Sequence, residues 1–252
     1  MPENSIPGFI RAIDIGCHFL EMDVVLTSDK IPVVSHDPFL NPILFGDEFR
    51  KQDTSFLAMD HNTISEYTYG TIRNEEFPEQ ELQPVRIPTL RDTILNCMDY
   101  GKNSELDVGF NIEIKHCSEW TNILQYDHET VVDNVMKVVN EVGSSGKVII
   151  QSFSLDVIRY LESSYPDTGK GMIIDRGEMV DVGELAQKFS ISHIAPWFRD
   201  VTENLVKTAH QHDIKVIPWT VNDVDDMRAM MSYGVDGIIT DHPSRLKALP
   251  DG

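Results

Sequence analysis

The stretch Val148-Ile149-Ile150-Gln151-Ser152-Phe153 is apolar at its start and is followed at once by Ser154, a residue type that caps helices. Apolar residues then recur at helical spacing, and Pro166 follows them; they are Leu155, Ile158 and Leu161. This order predicts a strand followed directly by a helix. Such a unit is the building block of a parallel sheet covered by helices.

The same alternation of strand and helix runs along the whole chain. Six further strand-like segments lie between helical stripes: Phe19–Val24, Phe110–Lys115, Gly171–Ile174, His193–Pro196, Lys215–Trp219 and Gly237–Thr240. The length of 252 residues fits one (β/α)₈ barrel, which needs about 250. Seven strands are visible where the barrel needs eight, and the chain opens with a helical stripe. We therefore predict an α/β fold, a TIM-type barrel formed as one domain by residues 1–252, with its first strand missing from this chain.

Two segments interrupt the alternation. Val24–Lys30 and Ile31–His36 predict a hairpin with its tip at residues 28–30. Residues 37–86 have poor periodicity and are rich in Pro, Asn, Gly and acidic residues. We expect residues 37–86 to be an insertion on the carboxyl-terminal face of the barrel, where loops carry function.

Composition excludes several classes of protein. The formal net charge of -20 argues against nucleic acid as a partner, because a phosphate backbone is bound by clustered Lys and Arg. The three cysteines form no metal-binding or disulfide pattern. No apolar run is long enough to span a membrane, and the first residues do not resemble a signal peptide. The chain as given is expected to be soluble and cytoplasmic, or periplasmic or secreted if a signal precedes it. The oligomeric state stays open.

Carboxylates lie two residues apart on one predicted strand and recur on the next. Glu21 and Asp23 share a strand face, as do Asn111, Glu113 and Lys115. Either group alone is explained by an exposed polar strand face. Together they favour a cation, since barrel strands are buried on both faces and paired carboxylates repel each other. Oxygen ligands suit Mg²⁺ or Ca²⁺ rather than zinc.

Two more residues are candidates from their positions. His36 ends the predicted hairpin roughly opposite Asp23, where an imidazole can act as general acid or base beside a metal-bound phosphate. Trp219 ends a predicted strand. Its indole either walls a substrate pocket or packs in the core, and both interpretations stay open.

The chain resembles the glycerophosphodiester phosphodiesterase family over nearly its whole length. The matching segments agree in order and spacing; they are residues 2–9, Leu20-Glu21-Met22-Asp23-Val24, Val33-Val34-Ser35-His36-Asp37, Asn111-Ile112-Glu113-Ile114-Lys115, Gln151-Ser152-Phe153, residues 218–222 and residues 237–243. The resemblance implies a barrel enzyme of lipid and glycerol metabolism that hydrolyses small glycerophosphodiesters to glycerol 3-phosphate and an alcohol.

The resemblance also implies roles for individual residues. Glu21, Asp23 and Glu113 would bind one divalent cation, Mg²⁺ or Ca²⁺, and His36 would be one of two catalytic histidines. Lys115 would hold the phosphate, and Glu3 would lie near the phosphate end of the site. The insertion would shape the alcohol side of the pocket.

One part of the family pattern is not matched. The family's first strand ends in His-Arg-Gly about ten residues before Pro-Glu-Asn, whereas Met1 here directly precedes that motif. The second catalytic histidine is therefore expected upstream of Met1, and the activity of the chain as given is in doubt. Two alternatives remain: a catalytically impaired homologue that binds metal and phosphodiester, and a phospholipase of the sphingomyelinase D kind.

Overall fold

The structure is a computed structural model, and it describes residues 1–51 and 54–250. The chain divides into two compact units, Met1–Val148 and Ile149–Gly252. The prediction of a single domain over residues 1–252 stays a prediction. Within the described residues, no helix combines the length and apolar character that crossing a membrane requires.

Helices and strands alternate through most of the chain. The first unit contains α1 (Ile6–Ile15), β1 (Phe19–Leu26), β2 (Pro32–Val34), α2 (Pro42–Phe45), α3 (His61–Ile64), α4 (Leu90–Asn103), β3 (Gly109–Ile114) and α5 (His128–Glu141). From the boundary onward follow β4 (Val148–Ser152), α6 (Leu155–Ser164), β5 (Gly169–Ile174), α7 (Val182–Lys188), β6 (His193–Pro196), α8 (Glu203–His210), β7 (Lys215–Val216), α9 (Val224–Tyr233) and α10 (Pro243–Lys247). Short 3₁₀ turns complete the list at Asp47–Lys51, Phe56–Ala58, Ser118–Trp120, Ser145–Lys147 and Phe198–Asp200.

In the first unit, β1 lies between β2 and β3. The predicted hairpin is confirmed, because β1 and β2 are antiparallel with Val24 opposite Val34. The register differs by one residue from expectation: Ser35, not His36, donates its N–H to the carbonyl of Asp23 at 3.0 Å. β1 and β3 are parallel, with Glu21 beside Asn111 and Asp23 beside Glu113. The register therefore brings the predicted carboxylates together.

Capping residues stand at both ends of α1 and at the start of α4. Ser5 accepts a hydrogen bond from the N–H of Gly8, and Gly16 ends α1 with a φ of 98°. Thr89 begins α4 by accepting from the N–H of Asp92. Gly101 lies inside α4, because the helix continues to Asn103.

The predicted insertion, residues 37–86, contains more regular structure than its sequence suggests. Its residues 52–53 lie outside the described residues. The segment forms α2, α3 and 3₁₀ turns, and it packs apolar side chains against the β1–β2 hairpin; the buried members are Val25, Val33, Leu40, Phe45, Phe56, Ile64, Tyr69, Val85 and Ile87. Burial of these side chains orders the segment despite its poor periodicity. Its placement on the carboxyl-terminal face stays a prediction.

In the second unit, β4, β5, β6 and β7 follow one another in parallel. The prediction of a strand at Gly237–Thr240 is wrong. Asp236 and Ile239 donate to the carbonyls of Val216 and Pro218, both at 3.0 Å. A third bond joins the N–H of Val221 to the carbonyl of Ile239 at 2.9 Å, but the segment is not a β-strand in the structure, and Pro218 has no N–H to contribute to a ladder.

The core of the second unit lies between its strands and helices. Buried residues of β5, β6 and β7, such as Met172, Ile194 and Val216, pack against apolar residues of the helices. Val206 of α8 and Met227 of α9 belong to the same cluster. The helical stripes therefore cover the parallel strands, as the alternating pattern predicts.

Candidate active site

Three carboxylates converge on one face of β1 and β3. One oxygen from each of Glu21, Asp23 and Glu113 can be chosen so that the oxygens lie within 4.8 Å of one another. Asp23 and Glu113 are both 7% exposed. Burial raises the pKa of Glu113 to about 7, and the nearby charge of Asp23 adds to this effect. Such a cluster is unfavourable unless positive charge compensates it.

Lys115 supplies positive charge from the end of β3. Its Nζ lies 3.1 Å from Asp23 Oδ1 and 2.9 Å from Glu113 Oε1. The contact with Glu113 is an ion pair. Burial alone would lower the pKa of Lys115, but the charges of Asp23 and Glu113 outweigh it and raise the pKa. Lys115 is therefore a permanent cation beside the carboxylates.

Asn111 lies beside Glu21 on the neighbouring strand and carries a further side-chain oxygen. Asn111 is 6% exposed, and its Oδ1 has no hydrogen-bond partner among the described residues. A buried, unpaired carbonyl oxygen costs about 1–3 kcal/mol. Carboxylate and amide oxygens are the ligands that Mg²⁺ and Ca²⁺ prefer. The donor set and the orphaned oxygen both fit a divalent cation.

His36 lies just after β2 and is paired with the next residue. Its Nδ1 lies 3.2 Å from Asp37 Oδ1, and Asn41 Nδ2 donates to Asp37 Oδ2 at 2.6 Å. The hydrogen bond to Asp37 raises the pKa of His36, and Asp23 raises it further, against the opposing effects of burial and Lys115. The imidazole is 55% exposed. It therefore combines an orienting carboxylate with access to solvent.

The segment Pro2–Ser5 contacts β1 and the insertion. Glu3 is exposed, while its carbonyl accepts a hydrogen bond from the Tyr69 hydroxyl at 2.9 Å. The neighbouring side chain of Asn4 forms hydrogen bonds with Asp23. Glu3 is therefore attached through its backbone, which leaves its carboxylate at the surface.

Trp219 belongs to the second unit and follows β7. Its Nε1 donates to the carbonyl of Ala195 at 2.8 Å, and its ring meets Phe153 edge to face with centroids 5.5 Å apart. Phe153 is 37% exposed. The hydrogen bond and the aromatic contact hold the indole in a defined orientation after the strand.

The chain matches a model of the glycerophosphoryl diester phosphodiesterase family over residues 1–245. It is 30% identical over 246 residues to a glycerophosphodiester phosphodiesterase from Caldanaerobacter subterraneus, covering 98% of this chain and 91% of that protein. The chain belongs to the glycerophosphoryl diester phosphodiesterase family. It is therefore a phosphoric diester hydrolase by family.

Solved structures give the same result for the fold. The crystal structure of a Silicibacter pomeroyi protein matches this chain with a TM-score of 0.87 at 26% sequence identity. The match covers 98% of this chain and 87% of the Silicibacter chain. An Oleispira antarctica phosphodiesterase, solved with the product sn-glycerol-3-phosphate, has a TM-score of 0.79 at 20% identity and coverages of 98% and 90%. At that identity the likeness is one of fold. The predicted (β/α)₈ TIM-type class is confirmed.

Asn4 contacts Asp23 and Tyr69 contacts Asn4, but neither is among the site residues that the sequence predicts. Asn4 directly precedes Ser5, the N-cap of α1. Tyr69 lies in the insertion, 46 positions after Asp23 in the sequence. The one sequence signal for Asn4 was its place in the Pro-Glu-Asn motif, which carries no geometric information.

Proposed function

We propose that this chain hydrolyses small glycerophosphodiesters to glycerol 3-phosphate and an alcohol. The observation that carries the proposal is the convergence of Glu21, Asp23 and Glu113 within 4.8 Å beside Lys115. Family membership gives the reaction class, and the cluster gives a place for the phosphate to be neutralised. With a divalent cation bound, its charge and that of Lys115 would offset the three carboxylates, so that a phosphate could approach this part of the acidic chain.

Glu21, Asp23 and Glu113 hold one divalent cation, Mg²⁺ or Ca²⁺, in this proposal. When bound, such a cation stabilises the charge that develops on the phosphate oxygens. Lys115 contributes a second positive charge, and its ion pairs hold the ammonium between the strands. Both charges favour the transition state over the ground state, because the phosphate becomes more negative as the bond breaks.

His36 transfers a proton. Its raised pKa keeps the imidazole protonated to higher pH than an ordinary histidine, which suits donation to the leaving alkoxide. Asp37 orients the ring through Nδ1, so Nε2 is the nitrogen available for proton transfer. Asn41 in turn holds the second oxygen of Asp37.

Glu3 and Trp219 are proposed to contact substrate. Glu3 is exposed next to Asn4, which supports a role near the phosphate end. Trp219 presents an oriented indole at a strand end, which supports a role as a wall for the substrate. These two assignments rest on exposure and family resemblance rather than on contacts with the carboxylates.

The test compares Glu113→Gln with Glu141→Gln, a surface variant that loses only an exposed pair with Arg91. Glycerol 3-phosphate release from glycerophosphocholine is measured with Mg²⁺, with Ca²⁺ and with a chelator. We expect Glu113→Gln to lose roughly 100-fold or more in rate, since a metal supplies several kcal/mol of stabilisation. The Glu141→Gln variant should match the wild type. Equal and measurable rates for all three proteins would overturn the assignment.

Two substrate arms separate the alternatives. Release of glycerol 3-phosphate from glycerophosphocholine supports the proposal, whereas cleavage of a lysolipid alone supports a sphingomyelinase D-like enzyme. Cation binding by calorimetry with no turnover of either substrate identifies an impaired homologue.

A further inference from the structure

The edge of β1 beside Asp23 is completed by a side chain. On this edge β2 pairs with residues 24–26, and the Asp23 carbonyl accepts from Ser35. The Asp23 N–H donates to Asn4 Oδ1 at 3.2 Å. The Asn4 amide thus continues the hydrogen bonding that the hairpin partner begins, at the residue that carries a proposed metal ligand.

The same amide also holds the Asp23 carboxylate. Asn4 Nδ2 donates to Asp23 Oδ2 at 2.9 Å, while Lys115 lies 3.1 Å from Oδ1. One amide therefore contacts both the backbone and the side chain of Asp23. This two-point contact restricts the rotation of the carboxylate in addition to the ion pair with Lys115. A hydrogen bond to a ligating carboxylate is a common way to tune a metal site.

Tyr69 holds the main chain around Asn4. Its hydroxyl donates to the carbonyls of Glu3 and Asn4, at 2.9 and 3.1 Å. The ring is 2% exposed and lies in the core of residues 37–86. Burial raises the pKa of Tyr69, and the charge of Glu3 adds to this, so the hydroxyl stays a donor at physiological pH. Gly70 allows the insertion to pack closely against Pro2. Any other residue would clash there, because its Cβ would lie 2.5 Å from Pro2 Cγ.

The backbone conformation of Asn4 favours asparagine at this position. Its φ is 46°, in the left-handed region that asparagine tolerates better than most residues. A serine or threonine could cap a helix as well as asparagine does, but it would not offer both an amide donor and a carbonyl acceptor to Asp23. The left-handed turn and the two-point contact together account for asparagine here.

We infer that Asn4 is a positioning residue that aims the Asp23 carboxylate, and that Tyr69 secures Asn4 from the insertion. The inference rests on the proposed function, since it takes Asp23 to be a cation ligand. It gives residues 37–86 a role in the metal site in addition to any role toward the alcohol. Asn4 acts through Asp23 and does not itself ligate the cation.

The main test is Mg²⁺ affinity by titration calorimetry in Asn4→Gly. Glycine adopts a positive φ without strain, so this variant removes the amide and keeps the turn. Asn122→Gly is the matched control, because Asn122 also has a positive φ, of 60°, but is exposed. We expect the Kd for Mg²⁺ to rise roughly 10- to 100-fold in Asn4→Gly. The control should bind as the wild type does.

A second pair of variants tests the role of Tyr69 and remains informative if Asn4→Gly does not fold. Tyr69→Phe removes only the hydroxyl, and Tyr67→Phe is its control within the same insertion. We expect Tyr69→Phe to raise the Kd for Mg²⁺ by several-fold, with Tyr67→Phe unchanged. The melting temperature of each metal-free variant is recorded beside it. A lower melting temperature with an unchanged Kd in Tyr69→Phe or Asn4→Gly would show a purely structural role and overturn the inference for that residue.

Glu113→Gln separates failure of the inference from failure of the proposed function. If the wild type binds Mg²⁺, Glu113→Gln does not and Asn4→Gly binds as the wild type does, the inference alone is overturned. If the wild type binds neither Mg²⁺ nor Ca²⁺, the proposed metal site fails and the inference fails with it.

Discussion

Lys115 Nζ, directly after β3, lies 3.1 Å from Oδ1 of Asp23 on β1, so the ammonium offsets negative charge on the neighbouring strand. The same nitrogen lies 2.9 Å from Glu113 Oε1. Lys115 therefore compensates part of the negative charge of these carboxylates before any cation binds. This arrangement explains how buried carboxylates are tolerated in the folded protein.

Lys115→Met should destabilise the metal-free protein. The variant leaves Asp23 and Glu113 without their shared cation, and we expect the free energy of unfolding to fall by about 2 kcal/mol, the scale of hydrogen bonds to charged groups. Excess Mg²⁺ should recover part of this loss, because it supplies positive charge at the same carboxylates. Urea unfolding with and without Mg²⁺ measures both effects.

The control for that experiment is Lys188→Met. Lys188 pairs with Glu184 on an exposed face of α7, where an ion pair contributes about 0–1 kcal/mol. Equal losses in the two variants, both insensitive to Mg²⁺, would contradict the charge compensation described here.

Asp37→Asn should shift the pH dependence of turnover. Asp37 raises the pKa of His36 through its hydrogen bond, so the wild-type imidazole stays protonated to higher pH. Loss of that charge lowers the pKa of His36, and the proton needed by the leaving alkoxide is then lost at lower pH. We expect the alkaline limb of the kcat profile to move toward lower pH. Initial rates across the pH range, with Mg²⁺ saturating, check this.

Asp99→Asn provides the comparison, since Asp99 is exposed on α4. If the alkaline limb has the same midpoint in Asp37→Asn, Asp99→Asn and the wild type, His36 is not the group that limits turnover at high pH.

His193 should make the protein less stable in mild acid. It is 1% exposed, and burial, with a smaller effect from the charge of Lys215, lowers its pKa from 6.5 to about 4. Between these pH values the unfolded state binds a proton that the folded state does not, so stability falls as pH falls from 6.5 toward 4. The shift corresponds to roughly 3 kcal/mol.

Comparison of the wild type with His193→Gln isolates this effect. The difference in unfolding free energy between pH 7 and pH 4.5 should be smaller in His193→Gln, whereas His212→Gln, at an exposed position, should resemble the wild type. An equal loss in all three proteins would assign the acid sensitivity to other groups.

Gly171→Ala should be destabilising because of the same histidine. A Cβ at position 171 would lie 2.2 Å from Cε1 of His193, on the neighbouring strand. Overpacking of this kind costs about 1–3 kcal/mol. Thermal unfolding measures the loss, with Gly146→Ala as control because a Cβ there meets nothing within 4 Å. The double variant Gly171→Ala/His193→Ala should lose less than the sum of the single variants, and strict additivity would refute the clash.

Local pattern was enough for much of the architecture. Side chains alternate between the two faces of a strand with a period of two residues. This period alone predicted that Glu21 shares a face with Asp23, and Asn111 with Glu113, because it depends only on neighbouring residues. Ser154 predicted the start of α6 for the same reason, and it is the N-cap of that helix. The pattern failed at Gly237–Thr240, where an apolar run has strand composition but forms no strand.

The sequence by itself determined the alternation of strands and helices and the faces on which the carboxylates lie, since both follow from periodicities of 2 and 3.6 residues. Only the tertiary structure decided that Asn4 completes the edge of β1 at Asp23, that Tyr69 secures Asn4, and that Gly171 leaves room for His193. Asn4 and Tyr69 are 65 positions apart. Such pairs form when the burial of distant apolar residues brings their segments together, and no local spacing records that event.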